Sequence, residues 1–477
     1  MTLPVTVAYG DGIGPEIMEA VLFVLKEADA GISVETAEIG SAQYRRDWPC
    51  GIAPSSWASI QRTKVLLKAP TMTPQGKGHK SLNVALRKRL GLYANIRPVV
   101  SYHPIVPSVH PNLDIVVVRE NEEDTYCGIE YQLSEDAYEC TKIATNSASL
   151  KICERAFLYA KSNNRSKVTC LVKDNIMKLT DGAFRRAFLE VAAMYPEIEA
   201  DCFIVDIGMA KVASQPENFD VVVTTNLFGD ILSDVVALAA GSIGLAGSAN
   251  IGDTYSMFEA VHGSAPDLAG KDVANPSGLL NAAVQMLVHL NRADRAVTIS
   301  NALLKTLEDG IHTADIFNPQ TSVRLVTTTD FARAIVNNLG STPSQLRGLA
   351  VKLQSARCGV KTHFPAAQRR TLAGVDLTVR WGEESNKLEA LAKACAEAVQ
   401  QPFQLALIYA KGMELWPAAP YSWPHTDLVT LRFMSPEQTE GDVSVSQLIQ
   451  GVESLGLTTA KMVKLYTFDG VEGFFTP

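Results

Sequence analysis

Two aspartates stand four residues apart in the segment NLFGDILSD, at Asp230 and Asp234. A helix would place both carboxylates on one face, where their like charges repel each other and favour a nearby cation. No lysine occurs between Lys211 and Lys271, so a divalent metal bound through oxygen ligands is the natural partner. Asp206, which ends the run CFIVD, could add a third oxygen ligand. The alternative is that the two acids are solvated positions on an exposed helix.

A second group of residues could bind an anion. In HKSLNVALRKRLGLYANIRP, Ser81 is a suitable N-cap for a helix that contains Asn83 and Arg87. Arg97 follows the run ANI, and Arg119 ends the strand-like run LDIVVVR. Arginines at the ends of strands and helices suit a ligand with several carboxylates, because each guanidinium can bind one of them bidentately. The alternative is that the basic run in this helix is a solvated surface.

A glycine-rich turn near the start of the chain reads GDGIGPE, residues 10–16. Its glycine spacing is not GxGxxG, and no acidic residue follows at the end of a second strand in the manner of a dinucleotide-binding βαβ unit. A tight turn before a helix that begins near Pro15 is the simpler interpretation.

Alternating strand-like and helical runs must position these residues. VTVAYG, LDIVVVREN and FDVVVTTN have the pattern of buried strands, and PEIMEAVLFVLKEA is one of the amphipathic runs between them. This alternation predicts an α/β fold. The pattern changes near residue 340, where we expect a linker over residues 341–371. Residues 372–477 then read β-α-β-β-α-β, which predicts a separate ferredoxin-like α+β domain.

Composition limits the possible functions. The chain has 477 residues, of which 47% are apolar and 20% charged, as in ordinary globular proteins. Its 43 basic and 51 acidic side chains give a net charge of −8, which argues against nucleic-acid binding. Without a signal peptide or a long apolar run, we expect a cytoplasmic protein with no membrane association. None of the eight cysteines forms a CxxC pair, which favours free buried thiols.

Several long motifs together resemble the isocitrate and isopropylmalate dehydrogenase family. They include SLNVALRKRLGLYANIRP, RENEEDTYCGIE, KDNIMKLTDGAF, TTNLFGDILSD and EAVHGSAPDLAGKDVANP, in the family's order. The C-terminal extension resembles that of the longer, Thermus-type bacterial isocitrate dehydrogenases. The resemblance implies a two-lobe fold rather than a Rossmann fold. Residues 1–98 and 255–340 would form a large, cofactor-binding lobe, and residues 99–254 a small lobe with a dimer clasp near 129–148.

The resemblance also implies a reaction, in which a nicotinamide cofactor accepts a hydride from a 2-hydroxy acid that then loses carbon dioxide. Mg²⁺ or Mn²⁺ would be held by Asp206, Asp230 and Asp234. The substrate carboxylates would be bound by Ser81, Asn83, Arg87, Arg97 and Arg119. Tyr126 would donate a proton to the enolate, and Lys173 with Asp206 would assist proton removal. Lys173 and Asp206 come from the neighbouring subunit in this family, so a homodimer is expected.

The helix that follows Ser81 guides the substrate prediction, since isopropylmalate enzymes carry apolar side chains where this chain has Ser81 and Asn83. A hydroxyl and an amide suit a third carboxylate instead, which favours isocitrate and its oxidation to 2-oxoglutarate in the tricarboxylic acid cycle. Homoisocitrate and 3-isopropylmalate are alternative substrates. A regulatory subunit without activity is the alternative from another functional class.

The motif HGSAPDLAG guides the cofactor prediction. The cofactor site would comprise Glu259, His262, Gly263, Ser264, Ala265, Asp267, Leu268 and Asn275. NADP-dependent relatives place Lys-Tyr where this chain has Asp267 and Leu268, and the carboxylate would repel a 2′-phosphate. No lysine or arginine occurs from Gly310 to Val323. These features predict a preference for NAD, with use of NADP as the alternative.

Overall fold

A computed structural model describes residues 2–44, 48, 50–72, 81–349, 367–382, 387–418, 424–439 and 443–475. The chain divides into two compact units. The first unit comprises Met1–Cys127 and Lys142–Thr362, and the second comprises Gly128–Thr141 and His363–Pro477. Of the predicted linker 341–371, residues 350–366 lie outside the described residues, and so does Cys358.

The strands mostly alternate with helices in the first unit. In chain order they are β1 (Leu3–Ala8), β2 (Ile32–Ala37), β3 (Val65–Lys68), β4 (Ala94–Val100), β5 (Asp114–Glu120), β6 (Glu130–Gln132), β7 (Tyr138–Cys140), β8 (Lys167–Val172), β9 (Glu199–Ile204), β10 (Val221–Thr224), β11 (Gly247–Ile251), β12 (Ser256–Ala260), β13 (Ile311–His312), β14 (Arg324–Leu325), β15 (Arg370–Arg380), β16 (Gln404–Ala410), β17 (Met413–Trp416), β18 (Leu428–Thr439), β19 (Thr459–Phe468) and β20 (Val471–Glu472). In the second unit, β6–β7, β16–β17 and β19–β20 are hairpins.

The helices are α1 (Gly14–Glu27), α2 (Ser41–Tyr44), α3 (Pro54–Thr63), α4 (Leu82–Arg89), α5 (Asn146–Ser162), α6 (Thr180–Ala192), α7 (Val205–Ser214), α8 (Asn226–Ala239), α9 (Ser277–His289), α10 (Ala293–Glu308), α11 (Thr328–Asn337), α12 (Leu388–Ala398) and α13 (Val443–Glu453). Short 3-10 turns occur at Asp124–Cys127, Pro216–Asn218, Ile243–Leu245 and Pro266–Leu268. In the part of the chain that the structure describes, no helix combines the length and the apolar character needed to cross a membrane.

A ten-stranded sheet in the order β2-β1-β3-β12-β11-β4-β5-β10-β8-β9 is the centre of the first unit, and it confirms the α/β class. The four strands at each end run parallel to their neighbours, whereas β11 pairs antiparallel with both β12 and β4, and β4 pairs antiparallel with β5. Strands β5, β10, β8 and β9 therefore end at one edge of the sheet. Polar residues that follow such strands are brought to a common edge, where open α/β sheets bind ligands.

Helices cover this sheet because their apolar faces match the apolar strands. Ile17 of α1, Leu279 of α9 and Ile299 of α10 are fully buried in one cluster with Val5 and Val7 of β1. Helices α5 and α6 pack over β5, β8 and β10 in a second cluster. The strands of this region are continuous apolar runs, as expected of parallel strands that are buried on both faces.

The second unit contains a six-stranded antiparallel sheet in the order β17-β16-β18-β15-β19-β20, with α12 and α13 contributing to its core. The hairpin of β6 and β7, residues Gly128–Thr141, belongs to the same unit. Lys461 of β19 contacts both carboxylate oxygens of Glu139 at 2.7 Å. Arg380 lies 3.0 Å from Glu135, so acidic residues of the hairpin meet basic residues of the C-terminal sheet.

The cysteines behave largely as expected. The seven cysteines in the described residues are free thiols, of which Cys153, Cys170 and Cys395 are buried and Cys140 is exposed. Folding of this chain therefore depends on its cores and on buried polar pairs rather than on disulfides. One such pair lies inside the second sheet, where both nitrogens of the Arg432 fork lie 2.7 Å from the two oxygens of Asp376.

This buried pair provides a stability test. Arg432→Met would leave the buried carboxylate of Asp376 without its cation, and we expect a loss of about 3–5 kcal/mol in the stability of this sheet. Arg380→Met, which removes an exposed ion pair, should cost at most about 1 kcal/mol. Native-state hydrogen exchange of the β15 and β18 amide protons in the full chain measures both effects. Equal losses of protection in the two variants would contradict the argument from burial.

Candidate active site

Asp230 lies at the centre of the site, on the second turn of α8. One of its carboxylate oxygens is contacted by Arg119 and lies 3.3 Å from Arg97 Nη2. The Tyr126 hydroxyl donates a hydrogen bond of 2.6 Å to the other oxygen. Asp234, one helical turn later, lies 3.9 Å from Arg97 Nη1. Two arginines of the chain itself therefore compensate part of the negative charge of this acidic pair, and the predicted metal site stays a prediction.

These contacts determine the protonation states. Burial alone would raise the pKa of Asp230, but Arg119 and Arg97 outweigh burial and hold that pKa below its ordinary value. Burial and the neighbouring Arg97 and Arg87 lower the pKa of Arg119 to about 9, so it stays a cation at neutral pH. Burial and the Asp230 carboxylate raise the pKa of Tyr126, which keeps its phenol protonated. A protonated phenol next to buried cations is suited to donating a proton.

The arginines retain unused donors. Among the described residues, Arg119 Nη2 and Arg87 Nε are buried without a hydrogen-bond partner. A buried guanidinium donor without a partner is costly, unless a ligand satisfies it. Arg87, Arg97 and Arg119 are 8%, 4% and 1% exposed, so they form a dense, largely dehydrated positive region. Carboxylates of a small ligand are the chemistry that this region fits.

The buried carboxylate of Glu259 contacts this group of arginines through Arg87. Strands β3 and β12 pair Lys68 with Glu259 in register, and the two charged groups are 2.8 Å apart. Glu259 also lies 3.1 Å from Arg87 Nη2 and accepts a 2.9 Å hydrogen bond from Asn250. Lys68 and Arg87 hold the pKa of this buried carboxyl far below its ordinary value, against the effect of burial. The structure thus places Glu259 against Lys68 and the buried Arg87, whereas its predicted role was in the cofactor site.

Two smaller polar side chains, Ser81 and Asn83, stand at the start of α4, the helix that carries Arg87. Ser81 occupies the N-cap position, as predicted, but its hydroxyl makes no capping hydrogen bond. Asn83, in the first turn, accepts a 3.1 Å hydrogen bond from Thr71. Both residues lie at the N-terminal end of α4, and a helix N-terminus favours negative charge.

Lys173 and Asp206 form a pair of their own. Lys173 follows β8 and Asp206 lies in the first turn of α7, and their charged groups are 2.8 Å apart. Their side chains are 28% and 66% exposed, and the ammonium lowers the pKa of the carboxyl. The described residues contain no group of three acidic, histidine or cysteine side chains placed to share a metal ion. One chain therefore offers Asp230 and Asp234 together, with hard oxygen donors that suit Mg²⁺ or Mn²⁺, and it does not bring Asp206 to them.

A loop after β12 carries the predicted cofactor residues. The turn GDGIGPE packs against it: the Ile13 amide donates to Ser264 O at 2.9 Å, and a Cβ on Gly12 would lie only 2.0 Å from that oxygen. Ala265 has a left-handed backbone with φ of 37°, a strained state that often marks ligand sites. Apart from its own chain neighbours, no described residue lies within 4 Å of the position that a side chain on Gly263 would take, which leaves the backbone open to a ligand.

Two polar side chains line the inner end of this loop. Burial lowers the pKa of His262, so its imidazole is neutral at pH 7, and its buried Nε2 has no partner among the described residues. Asn275 donates a 3.1 Å hydrogen bond to Asp315, which also accepts from Ser242. An unpaired ring nitrogen beside an open glycine backbone fits a heterocyclic ligand such as an adenine. Asp267 and Leu268, in contrast, lie in the exposed Pro266–Leu268 turn.

Family models, relatives and a solved structure of known proteins match this chain over most of its length. The family model for isocitrate/isopropylmalate dehydrogenase matches residues 4–335, and the model for the C-terminal domain of bacterial isocitrate dehydrogenase matches residues 370–477. A Rickettsia felis protein named as an NADP isocitrate dehydrogenase is 48% identical and covers 99% of this chain and 98% of its own length. The Thermus thermophilus protein of the same name is 41% identical and covers 98% of this chain and 94% of its own length. A crystal structure of a protein from Thermus thermophilus has a TM-score of 0.92 at 40% identity, and the match covers 99% of this chain and 95% of that chain.

The names of these relatives correct the cofactor prediction. Relatives that match over nearly their full length are named as NADP enzymes, so the prediction of NAD as cofactor and of an NAD-preferring enzyme is wrong. The physical reason is that Asp267 is exposed and water screens its charge. Lys271, four residues later, is exposed as well, and the exposed Arg324 directly follows the stretch Gly310–Val323, which contains no lysine or arginine. The carboxylate of Asp267 alone does not determine the electrostatic potential at an exposed surface, so it does not exclude the 2′-phosphate of NADP.

Several supporting residues were missed by sequence reasoning. Lys68 and Asn250 hold Glu259, and Asp315 holds Asn275. Lys68 ends the apolar run VLLK, and a charged residue at the end of such a strand could have marked it as a candidate site residue. Nothing local marked Asn250 or Asp315 as part of a site.

Glu120, beside Arg119, gives a pH test. Burial raises the pKa of Glu120 to about 7, although its carboxyl accepts hydrogen bonds from the amides of Glu122 and Glu123. A raised folded-state pKa means that stability falls as pH rises from the unfolded value, near 4.5, through 7. Glu120→Gln keeps an acceptor oxygen without the charge. Relative to the wild type, we expect its stability to rise by about 2–3 kcal/mol between pH 5 and pH 8. Urea unfolding at both pH values measures this, and a difference that is independent of pH would contradict it.

Proposed function

Because the chain belongs to the isocitrate/isopropylmalate dehydrogenase family, we propose that it is an NADP-linked isocitrate dehydrogenase. It would oxidise and decarboxylate isocitrate to 2-oxoglutarate and carbon dioxide. The observation that carries the proposal is the set of three buried arginines, two of which keep unpaired donors among the described residues, around Asp230 and Tyr126. A tricarboxylate would satisfy these donors, and the hydroxyl of Ser81 and the amide of Asn83 suit its third carboxylate better than an apolar group.

The side chains have distinct proposed roles. Arg87, Arg97 and Arg119 bind and orient the substrate carboxylates. Tyr126, held protonated beside Asp230, delivers a proton to the enolate carbon after carbon dioxide has left. A divalent metal held by Asp230 and Asp234 would polarise the oxygen on the carbinol carbon. Substrate binding would also draw the arginines away from Asp230, because each guanidinium prefers a bidentate carboxylate.

A second copy of the chain would complete the site. Lys173 and Asp206 are paired and partly exposed, and they make no contact with Asp230 among the described residues. An isologous dimer would bring this pair from each subunit to the other subunit's Asp230, where it could accept the hydroxyl proton. The hairpin Gly128–Thr141, with Tyr131 and Tyr138 exposed by 56% and 73%, is the proposed clasp between the subunits.

The family membership also supports proposals for the cofactor site and for the domain boundaries. The loop from His262 to Asn275 would hold the adenosine of NADP, with Lys271 and Arg324 as candidate partners of its 2′-phosphate. The lobes at 1–98 with 255–340 and at 99–254 stay proposals, as does the boundary of the C-terminal domain at 372. Its central strand order, β16-β18-β15-β19, supports a ferredoxin-like assignment extended by the edge strands β17 and β20.

A turnover assay tests the function directly. Purified protein with Mg²⁺ or Mn²⁺ should reduce NADP with isocitrate, and kcat/KM should be higher with NADP than with NAD. Lys271→Gln should raise the KM for NADP about tenfold, because it removes a charge-assisted contact worth about 1.4 kcal/mol, and should leave the KM for NAD unchanged. Turnover of homoisocitrate alone would reassign the substrate. Absence of turnover with every 2-hydroxy acid tried would favour the regulatory alternative.

Mixed subunits test the shared site. Tyr126→Phe and Lys173→Met homodimers should each be inactive. When the two variants are co-expressed, about half of the dimers are mixed, and each mixed dimer has one intact site. Activity should then recover to about a quarter of the wild-type value. No recovery, with dimers demonstrated by light scattering, would show that both residues act within one chain.

A further inference from the structure

Lys142 contacts three elements that carry or hold proposed catalytic groups, namely the Tyr126 turn, α8 and the start of α6. Its side chain is 14% exposed, and its ammonium lies 2.6 Å from Asp181 Oδ1 and 3.5 Å from Asp124 Oδ1. It also lies 5.2 Å from the centre of the Phe228 ring. The two carboxylates are 0% and 4% exposed, so one cation compensates two buried negative charges.

Asp181, in the first turn of α6, connects Lys142 to Lys173, the proposed base. Its other oxygen, Oδ2, accepts a 2.7 Å hydrogen bond from the backbone amide of Lys173. Lys173 follows the last residue of β8, so this bond determines the direction in which the chain leaves the strand. The ammonium of Lys142 neutralises the carboxylate that fixes the backbone of Lys173.

Asp124 connects Lys142 to the turn that carries Tyr126, the proposed acid, and to α8, the helix that carries Asp230. It opens the 3-10 turn that carries Tyr126, and its backbone is left-handed with φ of 66°. Its Oδ2 accepts a 2.9 Å hydrogen bond from the amide of Leu227, at the start of α8. This single side chain therefore joins the Tyr126 turn to the helix of Asp230. A strained backbone of this kind persists only where surrounding contacts determine it.

We propose that Lys142 is a positioning residue for the reaction. One ammonium fixes the relative placement of the turn bearing Tyr126, the backbone of Lys173 and the first turn of α8. No contact joins Lys142 to the substrate-binding arginines among the described residues, so it acts through Asp124 and Asp181. The catalytic meaning rests on the proposed function, whereas the contact network itself does not.

Hydrogen exchange tests the network without any assay of activity. In Lys142→Met, the amides of Lys173 and Leu227 should exchange at least about tenfold faster, because their acceptors lose the cation that holds them. Lys142→Gln, which can still donate to one carboxylate, replaces it if the Met variant does not fold. Lys142→Arg should stay within about threefold of the wild type.

A surface lysine provides the matched control. Lys161→Met removes an ammonium that pairs with Glu197, where the two side chains are 60% and 49% exposed, and it should leave exchange at both amides unchanged. Unchanged exchange at Lys173 and Leu227 in Lys142→Met, or in Lys142→Gln where the Met variant does not fold, would overturn the proposal.

Kinetics test the catalytic consequence. With isocitrate and NADP, Lys142→Met should lower kcat about 10–100-fold while the KM for isocitrate stays within about threefold, since the binding arginines are held elsewhere. Lys142→Arg should restore most of kcat. A variant with a lower thermal midpoint but an unchanged kcat would show a merely structural role and overturn the proposal. If the wild type turns over no isocitrate while exchange at Lys173 and Leu227 accelerates in Lys142→Met, the proposed function fails and the positioning network stands.

Discussion

The requirement that buried charge be compensated determines the arrangement around the large sheet. Arg119 is almost fully buried, and Arg87 and Arg97 lie close enough to oppose its protonation. Like charges in so dry a region persist only when anions reach them from neighbouring elements. Asp230 from α8 and Glu259 from β12 meet that need, and Tyr126 and Lys68 are placed by these two carboxylates in turn. The site is therefore one charge network, built from elements far apart in sequence.

Sequence reasoning predicted the parts of this network whose signals are local. The spacing of Asp230 and Asp234 predicted a helix with both acids on one face, and α8 spans both of them. The apolar run that ends at Arg119 predicted a buried strand, and β5 spans Asp114–Glu120. Local spacing identified the acids but not their partners. Arg97 and Arg119 are more than a hundred residues away from Asp230, so only the topology of the sheet could show that they compensate it.

Other features were beyond sequence reasoning for different physical reasons. Glu259 belongs to a motif associated with the cofactor, yet the register of β12 against β3 pairs it with Lys68 instead. The NAD prediction treated Asp267 as a fixed charge facing a ligand, whereas an exposed carboxylate is screened by water and by nearby cations. The family resemblance implied a dimer clasp near residues 129–148 in a small lobe, and that assignment stays a proposal. The contacts of the hairpin Gly128–Thr141 with Lys461 and Arg380, more than two hundred residues later, group it with the C-terminal sheet.

The hairpin that groups with the C-terminal sheet is covalently continuous with the turn that carries Tyr126, although the sheet contains no catalytic motif of its own. The hairpin is an insertion between the Tyr126 turn and Lys142, and the two ends of the insertion are joined by the ion pair of Lys142 with Asp124. The amide of Asp124 also donates a 2.9 Å hydrogen bond to Ile143 O, so the base of the insertion is closed twice. Ion pairs from Glu135 and Glu139 bind the far part of the same insertion to the C-terminal sheet. The contacts at the base of this insertion are also contacts of Asp124, which opens the turn that carries Tyr126.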